Sequence, residues 1–255
     1  MFKLNSSRQG ALVLLATLTL QSSAVAASAA DLFAQGDWAA AAEQPVQDND
    51  PLTGALAVHR LMECPAPARP KGQVWTYKQT AQAAAFARQA LAGKLNDADR
   101  LQAYISLADN VGNQAQTTSN LAETLKLARD SKSAYESAVK LDSNDFLAAA
   151  SLAIFYARSY FRGGVVIGVT KGEAQNLTTR AARLFNTAPD ATKAQMLRKA
   201  WGAVRLGGAY EGLGDKKLVP YYEAAIKLGE ASGTPSGLCA ANVARVHLGR
   251  AITKY

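Results

Sequence analysis

Residues 206–228 read LGGAYEGLGDKKLVPYYEAAIKL, and this stretch indicates how the whole chain is built. An apolar arm leads to Gly214 and Asp215, a pair typical of a helix end followed by a turn. Beyond the turn, apolar side chains return at three- and four-residue spacing, which predicts a second helix that folds back on the first. Proline is well tolerated at the first position of a helix, so we place the start of this second helix at Pro220.

Small and aromatic residues on the two arms resemble the signature of a tetratricopeptide repeat, in which they interlock two antiparallel helices. The residues are Leu206, Gly207 and Tyr210 on the first arm and Tyr221, Tyr222 and Ala225 on the second. Tyr135, Ala138 and residues 141–145 resemble the end of another such repeat. The resemblance implies an α-α superhelix of the tetratricopeptide-like class, in a divergent form, because the spacing from Gly214 to Tyr221 is one residue short.

The rest of the chain predicts one all-α domain, residues 30–255, with about nine antiparallel helices. The helix at 146–161 is apolar almost all round and is expected to be buried on most sides. Residues 112–118 are rich in amides and hydroxyls and are predicted to form a loop, as is the proline-rich segment 65–72. Irregular arrays of this kind are also similar to regulators of microtubule dynamics and to exported accessory subunits of solute transporters, which the sequence does not separate.

One glycine-rich insertion interrupts the helical pattern. Residues 162–172 read RGGVVIGVTKG, a run too rich in glycine and β-branched residues for a helix and too apolar for an ordinary exposed loop. Three interpretations stay open: a plain connection between helices, an apolar lid over a groove, and a phosphate-binding loop. The third lacks the Gly-Lys-Ser or Gly-Lys-Thr ending and the preceding strand that such loops need.

The first 29 residues predict a cleaved signal peptide of the Sec type. Lys3 and Arg8 precede a short apolar core at residues 11–20, and small residues at 24–29 offer cleavage sites. The core is shorter than the roughly 20 residues that span a bilayer. We therefore expect a periplasmic or secreted protein whose mature chain has no membrane span.

The charge of the chain is unevenly distributed. Its formal net charge is +8, and residues 146–255 hold 15 Lys or Arg against 6 Asp or Glu, whereas residues 30–145 hold 11 against 14. A basic region raises the local concentration of anionic partners. Outside the cytoplasm such a partner would be an acidic protein or another anionic envelope component, and nucleic acid is not the expected one. The alternative is a basic surface that is merely solvated.

Basic and aromatic residues interleave around the glycine-rich insertion, and together they are the candidate binding residues. They are Arg158, Tyr160, Arg162, Lys171, Arg180 and Arg183. Such a mixture can hold an anionic chain by charge and stacking. The competing interpretation is that the aromatic rings belong to the core and the arginines are only solvated.

Cys64 and Cys239 form the one candidate disulfide. An oxidising compartment permits the bond. However, the two residues would lie near opposite ends of an extended superhelix, beyond the roughly 7 Å between Cα atoms that a disulfide allows. The sequence therefore leaves the pairing open.

No catalytic residue, metal site or cofactor is predicted. His59 and His247 are the only histidines, and neither has zinc-ligand spacing with a cysteine. Ser137 and Lys140 match the serine–lysine spacing of penicillin-binding enzymes, but the companion motifs are missing. We expect a non-enzymatic scaffold that binds a protein segment or an anionic envelope component. The alternative is a small-ligand carrier or transporter accessory subunit with a pocket under the glycine-rich insertion.

Overall fold

The computed structural model describes residues 27–44, 48–64, 77–161 and 163–254. These residues form eleven α-helices and a 3-10 turn at Gly164–Ile167, with no strand among them. The helices are α1 (Ala29–Gln35), α2 (Trp38–Glu43), α3 (Pro51–Glu63), α4 (Tyr77–Ala92), α5 (Asp97–Thr117), α6 (Leu121–Leu141), α7 (Phe146–Phe161), α8 (Lys171–Thr187), α9 (Lys193–Leu213), α10 (Leu218–Ser232) and α11 (Pro235–Lys254).

The all-α class is thus as predicted, but the described helices number eleven where about nine were expected. One reason is Gly36, whose left-handed φ of 87° ends α1 and separates it from α2. The predicted signal peptide lies outside the described residues up to residue 26, and the proline-rich segment 65–72 lies wholly outside them. Within the described residues, none of the helices has the length and apolar character that a membrane crossing requires.

The helices pack in the order of the chain. Each one contacts the helix before it, and α7 and α11 also contact α9. Helix α7 is the centre of the core, since all residues from Phe146 to Ile154 are buried, as are Tyr156 and Ala157. The prediction of a helix buried on most sides at this position is confirmed, and its cause is the nearly continuous run of apolar side chains.

The hairpin predicted from residues 206–228 is present as α9 and α10. Helix α9 ends at Leu213 and is capped by Gly214, which has the left-handed conformation with φ 70°. Tyr222 is fully buried, and its ring lies so close to Gly207 that a Cβ there would be 2.5 Å from a ring carbon. The Tyr210 and Tyr221 rings stack with centroids 5.3 Å apart. Small residues thus allow the two helices to approach, as expected.

The start of α10 differs from the prediction. The helix begins at Leu218, so Pro220 occupies its third position and not its first. Asp215 makes this earlier start favourable, because its side chain accepts a hydrogen bond from the Lys217 amide and its carbonyl accepts one from the Leu218 amide. The first amides of a helix have no intrahelical acceptor, so a proline at the third position loses no hydrogen bond.

The loop predicted at residues 112–118 is also wrong, because α5 continues to Thr117. Val111 and Gln114 are buried, and Gly112 approaches Ser131 of α6, whose hydroxyl donates to the Ala108 carbonyl at 2.8 Å. Contact with α6 therefore keeps a polar sequence helical, and packing overrides local propensity here.

The early and late helices of the chain meet. Cys64, which directly follows α3, is disulfide-bonded to Cys239 in α11, with 5.3 Å between the Cα atoms and a sequence separation of 175. Beside the bond, Arg60 donates to the Ser236 hydroxyl at 3.1 Å and lies 3.8 Å above the Trp201 ring. The expectation that the two cysteines lie at opposite ends of an extended array is wrong, because the array closes on itself.

The packing at Gly207 gives a first prediction. Replacing Gly207 with Ala should lower the free energy of unfolding by about 1–3 kcal/mol, since the added methyl collides with the buried Tyr222 ring. Gly249 of α11 is the matched control, because nothing lies within 4 Å of a Cβ there. Gly249→Ala should raise the stability by up to about 1 kcal/mol through helix propensity. Urea unfolding of both variants measures the difference, and equal effects would contradict the proposed packing.

The closure gives a second prediction. Replacing both Cys64 and Cys239 with Ala should lower the free energy of unfolding by about 2–5 kcal/mol, because the unfolded chain is no longer constrained by a long covalent loop. Unfolding in the presence and absence of dithiothreitol provides the control. Reductant should move the wild-type midpoint towards that of the double variant and leave the double variant unchanged. A wild-type midpoint that ignores the reductant would show that the bond adds nothing to stability.

Candidate binding groove

The predicted binding residues fall on two helices and the segment between them: Arg158 and Tyr160 on α7, Lys171, Arg180 and Arg183 on α8, and Arg162, which lies outside the described residues. The Arg180 guanidinium group is engaged within the protein, since it donates a hydrogen bond to the Ser143 carbonyl. Lys171 and Arg183 are exposed on α8. Of the predicted residues that the structure describes, only Arg158 lines the groove described next.

A groove of about 930 Å³ lies on the inner side of the helical array. Its walls come from α3, α5, α6, α7, α9 and α11, and we call it the inner groove. Apolar side chains such as Phe155 and Trp201 alternate on its walls with ionisable ones. The ionisable groups are His59, Glu63, Asp109, Tyr135, Arg158, Arg205, Glu211 and His247.

The glycine-rich insertion forms part of the groove wall, through Gly163, Gly164 and Ile167. It folds as a 3-10 turn between two left-handed glycines, Gly163 with φ 91° and Gly168 with φ 68°. Lys132 of α6 holds the turn, because its ammonium group donates to the Ile167 and Gly168 carbonyls at 3.2 and 3.1 Å. The insertion is therefore a turn that is anchored to α6 and forms part of the groove wall. An apolar lid over a groove was one of the three interpretations of this segment.

Asp109 is the most heavily bonded group of the groove. It accepts two hydrogen bonds from the Arg205 guanidinium, at 2.9 and 2.5 Å, and a third from the Tyr135 hydroxyl. Burial disfavours the charge of Arg205, but the paired carboxylate outweighs burial and raises the arginine pKa. The Tyr135 pKa is raised by burial and by the same carboxylate. Three helices, α5, α6 and α9, are thereby joined at one charge.

His59 and Glu63 form a second group beside Asp109. His59 Nε2 lies 3.0 Å from Glu63 Oε1 and 3.6 Å from Asp109 Oδ2. Neither ring nitrogen has the alignment of a hydrogen bond with a described residue, although the ring is buried. Burial alone would raise the Glu63 pKa, but His59, with Arg60 and Arg205, outweighs burial and lowers it to about 2.

Glu211 and His247 form a third group at the α9–α11 side of the groove. Glu211 Oε2 lies 3.0 Å from His247 Nδ1 and accepts the Tyr222 hydroxyl at 2.8 Å. The hydrogen bond with His247 is the main cause of the low Glu211 pKa, about 2, against the opposing effect of burial, and the Tyr222 hydroxyl adds to it. Since a carboxylate only accepts, the His247 Nδ1 is the donor and its other nitrogen is left for other contacts.

This arrangement is suited to binding. Its carboxylates are already bonded to protein partners, and its walls offer both apolar contact and charge. Among the described residues, no hydroxyl group hydrogen-bonds either histidine, and no cluster of three His, Cys, Asp or Glu side chains is placed to hold a metal ion.

The sequence does not indicate most of the groove residues, because the groove brings together side chains from helices that are far apart in it. The bonded residues are far apart in sequence: Asp109 and Arg205 are separated by 96 positions. Single helices do contain an indication that these two charges are buried. Asp109 directly follows the buried Ala108 and lies one turn after the buried Ile105, and Arg205 directly precedes the buried Leu206. A charge next to core positions is rarely buried unless it is paired.

Comparison with protein-family models, with curated proteins and with solved structures finds no match to this chain.

The Asp109–Arg205 pair gives a third prediction. Asp109→Asn should lower the free energy of unfolding by about 3–5 kcal/mol, because the variant leaves the arginine charge buried without its counter-ion. The paired replacement Asp109→Leu with Arg205→Met should recover most of the loss.

The control for this prediction is the exposed ion pair between Lys126 and Asp130, whose atoms lie 3.3 Å apart. Asp130→Asn should change the stability by less than about 1 kcal/mol. Urea unfolding of the four proteins tests the prediction, and similar effects of the two Asp→Asn variants would contradict it.

Proposed function

We propose that this chain is an exported, non-enzymatic binding protein built as a tetratricopeptide-like superhelix, and that it holds its partner in the inner groove. The partner of this proposal is a segment of another protein or an anionic envelope component. The export rests on the predicted signal peptide, and the superhelix rests on the repeat-like hairpin of α9 and α10.

The observation that carries the proposal is the groove itself. A concave site with apolar walls and a few converging polar groups is the usual form of a binding site. The volume of about 930 Å³ is at the upper end of the range for a small ligand and also accommodates a short peptide segment. Most of the ionisable groups are held by hydrogen bonds or ion pairs within the protein, so a ligand would meet a wall that is largely organised in advance.

A second candidate function is a small-ligand carrier, and the position of the glycine-rich turn favours it. Gly163, Gly164 and Ile167 line the groove, which is where a pocket under the insertion was expected for a carrier. The two functions share one site and differ in the size and nature of the occupant.

A fourth prediction tests both functions with a variant that fills the groove. Ala128 of α6 lines the groove and is half-buried, so Ala128→Phe should obstruct it. Ala122→Phe is the matched control, because Ala122 is exposed on the same helix and does not line the groove. Circular dichroism and thermal unfolding would first establish that both variants are folded.

The three proteins would then be used for affinity capture from envelope extract and for native mass spectrometry after purification. A stoichiometric protein that is captured by the wild type and by Ala122→Phe, but not by Ala128→Phe, supports the scaffold. A bound small molecule with the same dependence supports the carrier. Equal capture by all three proteins, or no occupant in any of them, would overturn the assignment of the groove as the binding site.

A further inference from the structure

Most of the charged groups that line the inner groove have a hydrogen bond or an ion pair within the protein. Glu63 is paired with His59, Asp109 with Arg205, and Glu211 with His247 and Tyr222. Arg158 is the remaining charged side chain on the wall, and its charge lies near enough to Glu211 to help lower the pKa of that carboxyl group. It has no hydrogen bond and no ion pair with any described residue, and it is exposed.

The position of Arg158 is fixed by the close approach of α7 and α9. A Cβ on Gly208 would lie 3.1 Å from an Arg158 Nη atom and 2.4 Å from Ile154 Cδ1. The absence of a side chain at Gly208 therefore leaves the space in which the guanidinium group lies. The guanidinium group thus lies beside α9 at Gly208, and the side chain remains exposed in the groove.

An apolar wall adjoins the guanidinium group. Ile154 and Phe155 precede Arg158 by four and three residues on α7, so they lie on the same side of this helix, and both line the groove. Trp201 and Val204 of α9 also line it. A ligand that reached Arg158 would therefore lie against hydrocarbon and aromatic surface.

From these contacts we propose that the inner groove contains an anion subsite at Arg158 and takes an amphipathic ligand, whose single anionic group pairs with this guanidinium and whose apolar part lies on the α7–α9 wall. The guanidinium group matches a planar carboxylate, which it can bind through two parallel hydrogen bonds. The anionic group can belong to a free organic acid or to the carboxylate of a peptide. This inference rests on the proposed function, since it names the class of ligand for the same groove.

The fifth prediction uses two fluorescent probes with the same ring system. Anilinonaphthalene sulfonate is an apolar mono-anion, and N-phenylnaphthylamine lacks the sulfonate. The wild-type protein should bind the anionic probe more tightly than the neutral probe, and added salt should lower the affinity for the anionic probe only. Arg158→Gln should lower the affinity for the anion by roughly tenfold or more and leave the neutral probe unchanged, because a charge-assisted hydrogen bond is lost.

The control variants separate this site from a general surface effect. Arg183→Gln removes an exposed arginine outside the groove and should leave the affinity for both probes unchanged. Arg158→Lys keeps the positive charge but loses the planar guanidinium group that can donate two parallel hydrogen bonds, so it should retain part of the affinity for the anionic probe. Displacement by dodecanoate would indicate a free acid. Displacement by an apolar hexapeptide, but not by its C-terminal amide, would indicate a peptide carboxylate.

The outcomes also separate the inference from the proposed function. If Ala128→Phe abolishes binding of both probes while Arg158→Gln affects neither, or both equally, the groove binds ligands and the anion subsite is wrong. If neither probe binds, or if Ala128→Phe changes nothing, both proposals fail. Selective loss of the anion in Arg158→Gln, with both probes lost in Ala128→Phe, supports the subsite.

Discussion

The contact between α3 and α11 is the constraint on which the groove depends. Cys64 and Cys239 join the two helices covalently, and Arg60 adds contacts to both Ser236 and Trp201. Helices from the first half of the chain, α3 and α5, thereby face helices from the second half, α9 and α11. In an open array these walls would belong to separate surfaces. The enclosed groove is thus a product of the closure and not of any single repeat-like pair.

Closure also explains why the groove contains so many compensated charges. Placing Asp109 of α5 beside Arg205 of α9 removes both side chains from water, a step that costs more free energy than an isolated pair returns. The two-pronged contact and the Tyr135 hydroxyl offset that cost by satisfying the carboxylate. An apolar contact would serve stability as well or better. The need to keep the helices together therefore does not by itself account for the charged wall, which agrees with the proposal that the groove binds a ligand.

Local features of this fold were predictable, and those that depend on closure were not. The α9–α10 hairpin and the buried α7 follow from residue spacing within about twenty positions, because helical periodicity is a local property. The Asp109–Arg205 pair and the convergence of His59 and His247 depend on how the whole array curves, which no local spacing specifies. The expectation that Cys64 and Cys239 lie far apart was wrong for the same reason, because it assumed an extended array. The prediction of a loop at residues 112–118 failed for a related reason, because contact with α6, and not the local sequence, keeps α5 helical up to Thr117.

The glycines of α9 connect the fold to the site. Successive helix positions point about 100° apart, so Gly207 faces Tyr222 of α10 while Gly208 faces Ile154 and Arg158 of α7. Gly212 lies one turn further on the Gly208 side and meets the Ala157 backbone. One short stretch therefore brings α9 close to two helices at once. The glycine that admits the interlocking tyrosine stands beside the glycine that makes room for Arg158. The packing that resembles a repeat therefore also sets the position of the groove arginine that has no hydrogen bond or ion pair with a described residue.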